Sequence, residues 1–177
     1  MNSNTIREMF VTALHGNTEA KNRVYSPKDW ATYDAHYPVI LVTTPLESKN
    51  SLGRNIPQFN TVTTVQVLAR VSTIDDFTSG DFQSLFNAEL IKEQIEKAII
   101  NSYELTRNIQ QFLSVKSQIQ SNALGEEHIT ELLMLFDVEY YQGPECFYDV
   151  DSSNLTGIDI QVKQPEATIS PVTKIDL

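Results

Sequence analysis

The 177-residue chain predicts an α+β fold, a mainly antiparallel β-sheet with two or three helices packed on one face. Three stretches lead there. Over 59–71 the odd positions carry Phe59, Val65, Val67, Ala69 and Val71, with Gln66 and Arg70 between them, the period-two pattern of a half-buried strand. Leu85, Ala88, Ile91, Ile95, Ala98 and Ile99 then recur at spacings of three and four, the apolar stripe of a helix that covers that strand. Finally, Leu132, Met134, Phe136, Val138 and Tyr140 alternate with Glu131, Asp137 and Glu139, a second strand.

In chain order, Asn4 or Thr5 is expected to cap a first helix whose stripe is Ile6, Met9, Phe10, Ala13 and Leu14, with Gly16 just past its end. His15, in its last turn, complements the helix dipole when protonated. A short strand is expected at Arg23, Val24 and Tyr25. Trp30, Tyr33, His36 and Tyr37 follow and are read as rings capping one end of the core. The β-branched run Val39, Ile40, Leu41 and Val42 reads as a central strand.

The segment 45–58 is rich in Ser, Asn, Gly and Pro, with Lys49 and Arg54 its only basic groups, so a long exposed loop is expected there. Loops of that length inside compact domains are commonly functional. Helical character continues from Tyr103 through Leu105 and Ile109. Leu113, Val115 and Ile119 then alternate with polar residues as a strand, joined to the 132–140 strand through a turn around Asn122, Gly125, Glu126 and Glu127. Leu133 and Leu135 break the polar alternation, which implies cover on both faces, from the protein's own helices or from a neighbouring subunit. Residues 1–143 are therefore assigned to a core domain, and 144–177 to an extended segment with one short strand at Ile158, Ile160 and Val162 and a flexible tail.

Composition narrows the function. Thirteen basic and twenty-three acidic residues give a net charge of -10, which opposes the counterion-releasing mode of nucleic-acid binding. No apolar run reaches the roughly 18–20 residues that spanning a bilayer needs, and Met1, Asn2 and Ser3 do not open a signal peptide. Cys146 is the single cysteine, consistent with synthesis in a reducing cytoplasm.

Catalytic inventories are equally thin. The chain has no GxxxxGK[ST] or GxGxxG loop and no GxSxG elbow, and its three histidines lie far apart in sequence. Asp149, Asp151 and Asn154 lack the glycine and terminal glutamate of a calcium loop. No catalytic residue, cofactor or metal is expected, and the reading is a non-enzymatic protein that works by assembly.

Taken together, the amphipathic helix 6–14, the Val24-Tyr25 strand, the Tyr37-Pro38 lead into an apolar strand, the polar loop, the long alternating strand, the helix 85–100 and a closing strand ending Phe136-Asp137-Val138-Glu139-Tyr140-Tyr141 resemble the tail terminator, or tail completion, proteins of long-tailed bacteriophages. The resemblance covers residues 6–162 and lies in element order, with no diagnostic motif.

It implies a virion protein at the neck end of the tail, a six-fold ring of copies of itself. Such a ring stops growth of the tail tube protein and joins the tail to a head-completion or neck protein, without specific nucleic-acid binding or membrane contact. On this chain it would place Lys49, Leu52, Arg54 and Ile56 of the loop, with Leu133 and Leu135, at subunit and tube contacts. The alternatives are another neck or head-completion connector and, in a different class, a small-molecule-binding domain or enzyme, which would need a deep pocket with converging polar groups.

Overall fold

The computed structural model describes residues 1–26, 37–55, 57–74, 80–124, 127–148, 157–160 and 173–176. The elements in order are α1 (Ser3–Leu14), β1 (Val24–Tyr25), β2 (Val39–Ser51), β3 (Phe59–Ile74), α2 (Gly80–Ile100), α3 (Tyr103–Asn108), β4 (Gln111–Leu124), β5 (Glu127–Gln142), a 3-10 turn (Pro144–Cys146), β6 (Gly157–Ile160) and β7 (Thr173–Asp176). Strands β1 to β5 form one sheet in the order β1-β2-β3-β5-β4. Three of its pairings are antiparallel, but β1 lies parallel to β2, so the sheet is mixed rather than purely antiparallel.

Helix α1 starts two or three residues earlier than expected because Asn2, not Asn4 or Thr5, is the cap. Its Oδ1 accepts from the Thr5 N–H at 2.9 Å, satisfying one orphan donor of the first turn. The chain leaves the helix through Gly16 at φ +73°, a conformation open to glycine at no steric cost. Ile6, Phe10 and Leu14 of α1 are fully buried, as are Ala88, Ile91, Ile95 and Ile99 of α2 and Leu105 of α3.

These side chains meet Val65, Val67 and Ala69 of β3 and Leu132, Met134, Phe136 and Val138 of β5 in one core. Each fully buried large aliphatic contributes about 1.5–3 kcal/mol. Phe10 meets Phe136 edge to face at 5.4 Å. The start of α2 is fastened by a buried hydrogen bond from Thr130 Oγ1 to Ser84 Oγ at 3.0 Å.

Two expectations change here. The long loop over 45–58 is mostly strand: β2 continues to Ser51, and only 52–58 connect it to β3. Pro45 fits because the register shifts between Thr43 and Leu46, a bulge that tolerates a residue without an N–H. Leu113 likewise falls in a bulge, between Phe112 and Ser114, which takes it out of the apolar alternation and leaves it 49% exposed.

The first compact unit is Met1–Phe147 and the second Tyr148–Leu177. In the second, β6 pairs antiparallel with β7, so the stretch read as an unstructured tail contains a strand. The ring cluster at 30–36, the Asp149, Asp151 and Asn154 group, Val162 and Ile56 lie outside the described residues.

Candidate functional site

Because β2 to β5 are in register, each row of the sheet can be read across the strands. On the helix-covered face the apolar rows turn polar toward the β2–β3 turn, where Lys49 stands opposite Thr61, which faces Tyr140, and Glu47 stands opposite Thr63. Thr61, Thr63, Tyr140 and Gln142 are all buried. Lys49 Nζ pairs with Glu47 Oε1 at 2.7 Å, donates to Gln142 Oε1 and sits 5.7 Å from the centre of the Phe147 ring.

Thr61 donates to the same Gln142 oxygen at 2.8 Å, and Gln142 Nε2 donates to the Met1 carbonyl at 2.6 Å. Tyr140 donates to Glu47 Oε2 at 3.1 Å. Burial pushes the Glu47 carboxyl up, but the hydrogen bond and charge of Lys49, with the Tyr140 and Ser3 hydroxyls, outweigh it and hold the group below its ordinary value. Burial, aided by the Glu47 charge, pushes Tyr140 up to about 12, so it stays a hydrogen-bond donor at neutral pH.

The network ties the base of the β2–β3 hairpin to β5 and to the N-terminus. Beyond it the tip is exposed: Leu52 is 54% accessible, Gly53 and Arg54 are open to solvent, and Asn55 turns the chain at φ +72°. The Leu52 N–H donates to the Gln58 carbonyl at 2.9 Å and closes the turn. Of the loop residues singled out by sequence, Leu52 and Arg54 are thus presented at the tip, while Lys49 is bonded into the hairpin base.

The other face of the sheet carries no described helix. Leu41, Leu68 and Leu133 align across β2, β3 and β5, and Leu135 lies one step along the same face, opposite Gln66. Leu133 and Leu135 are half-buried, so of the two covers expected for them, own helices or a neighbouring subunit, the first is not found among the described residues.

Toward the hairpin end this face carries Asp137 and Glu139 of β5, with Glu131 farther along, and all three are bonded to neighbouring strands. Thr64 and Ser114 each donate to Asp137 at 2.6 Å, Asn60 and Gln111 donate to Glu139 at 3.0 and 2.6 Å, and Arg70 pairs with Glu131 at 2.7 Å. The Ser114 and Thr64 hydroxyls hold the Asp137 carboxyl below its ordinary range.

Among the described residues, both sheet edges offer unpaired backbone: β4 has no partner on its outer side, and β1 covers β2 only at Ile40 and Leu41, leaving 42–51 open. Sequence reasoning missed the Glu47, Tyr140 and Gln142 network. Its one signal was the pair Thr61 and Thr63 interrupting the apolar odd positions of β3.

Among the described residues no three His, Cys, Asp or Glu side chains are grouped to hold a metal ion, and no helix is long and apolar enough to cross a membrane. A shallow groove between α1 and α2 is lined by Asn17, Gln94, Lys97 and Asn101 and is open to solvent. No protein-family model matches the chain, and no curated protein matches it.

Proposed function

We propose that this protein is a virion structural subunit that closes the end of a phage tail tube as a ring, ends tube polymerisation and presents the surface that joins tail to head. The observation that carries the reading is the pairing of two sheet edges, open among the described residues, with one hairpin bonded at its base. Edge strands β2 and β4 are separated by three successive antiparallel pairings, so they run in opposite directions. Rotating a copy about an axis along the strands therefore sets β4 beside the next copy's β2 in antiparallel sense, and repetition closes a ring.

The hairpin tip, with Leu52 and Arg54, is the tube contact in this reading. A docking element needs a fixed approach, and the Lys49, Glu47 and Gln142 bonds supply one at the hairpin base. The net charge of -10 suits a passage that DNA crosses without adhering.

The test is tube length. Adding the protein to tail tube subunits during polymerisation is expected to arrest elongation at one end, and tubes that grow as they do without it contradict the reading.

A further inference from the structure

The two open edges are not equally protected. The open stretch of β2 carries Pro45, a bulge and the charged pair Glu47 and Lys49, devices that discourage indiscriminate strand addition. Strand β4 runs 14 residues from Gln111 to Leu124 with no proline and a single charge, Lys116. Val115 is 39% exposed and Ile119 half-buried on its helix-side face. In a chain with twenty-three acidic residues this strand has none, so two copies meet here with the least repulsion. Of the β5 acids opposite it, Asp137 and Glu139 are bonded to Ser114 and Gln111, and Glu131, opposite Gln120, is paired with Arg70.

We propose that, away from the tail, two copies pair through β4 across a two-fold axis at Ser117, withholding the edge from further assembly. Antiparallel partners must share a face, so each allowed register sets one residue opposite itself. Centring on Lys116 opposes two like charges, and centring on Val115 runs the pair into the bulge at Leu113. Centring on Gln118 sets Val115 against Ser121 and Ile119 against Ser117. Centring on Ser117 pairs Val115 with the other copy's Ile119, twice, beside the core, and faces Lys116 with neutral Gln118.

One shared strand is a small interface, at the weak end of specific association, so a tube-bound neighbour can displace it. The dimer is a property of the free protein and is tested without tubes, while its role in withholding the edge rests on the tail reading.

The experiment uses the full chain with Cys146→Ser. Adding Ser117→Cys is expected to give a disulfide-linked dimer on mild oxidation. Ser121→Cys is not, because its two copies would lie about 27 Å apart. Sedimentation of the unmodified chain is expected to show a monomer–dimer equilibrium that Ser117→Lys shifts to monomer, with the thermal midpoint unchanged at dilutions where the parent is itself monomeric. A monomer at every concentration, equal cross-linking at 117 and 121, or a Ser117→Lys chain that still dimerises would overturn the proposal.

Discussion

Lys49 and Gln142 meet across β3: the ammonium near the end of β2 donates to the side-chain oxygen at the end of β5, although 93 residues separate them. The same oxygen accepts from Thr61, and the amide nitrogen donates to Met1, so one buried side chain ties the hairpin, the central strand and the N-terminus together. Gln142→Ala strands three partners at once. A loss of about 1–3 kcal/mol is expected, read from urea denaturation of a chain that keeps its native fold.

Adjacent residues of β5 point to opposite faces and should respond differently. Phe136 is fully buried between Phe10 and Phe112, and Phe136→Ala is expected to cost about 3–5 kcal/mol. Leu135, on the face without described helices, is half-buried, and Leu135→Ser is expected to cost about 1 kcal/mol or less in the free protein. Paired denaturation curves check the face assignment directly, and a reversed order would contradict it.

Acid sensitivity follows from Asp137. Its folded-state pKa lies below the ordinary 3.8 because Ser114 and Thr64 donate to the carboxylate. A depressed carboxyl contributes stability above its unfolded pKa and loses it as pH falls through the folded value. Ser114→Ala removes the larger of the two causes. The variant is expected to be less stable than the parent at neutral pH, with the gap narrowing as pH drops below the ordinary aspartate range, measured by denaturation at several pH values.

At the hairpin tip, function and stability should separate. Leu52 and Arg54 are exposed and lie outside the buried core. The double variant Leu52→Ser, Arg54→Glu is expected to melt within a few degrees of the parent and to lose tube arrest. A variant that melts normally and still arrests tubes would move the contact elsewhere on the surface.

The alternations at 65–71 and 132–140 and the helical stripe at 88–99 were legible because burial on one face dictates each residue type there, whereas Leu85, expected in that stripe, is 41% exposed and Ser84 is the buried neighbour. The second half of β2 was not. Glu47, Ser48, Lys49, Asn50 and Ser51 show no apolar period, and they form a strand because β3 offers ladder partners and because the facing residues, Thr61 and Thr63, are polar as well. Local composition cannot reveal a strand whose inward face is a hydrogen-bond network.

The same holds for the bulge at Leu113, where strand spacing was visible but the register shift depends on β5. Of the candidate site, the exposed Leu52 and Arg54 and the exceptional Leu133 and Leu135 are the residues that sequence singles out. The bonds between Lys49, Glu47, Tyr140 and Gln142 span residues distant in the chain and emerge only from strand order.

The central claim, assembly on a tube end, is tested most directly by electron microscopy of the protein mixed with purified, uncapped tail tubes. Rings seated on one end only, absent when Leu52→Ser, Arg54→Glu protein is used, are the expected result. Bare tube ends at saturating protein, or protein bound evenly along the tube wall, would contradict the account.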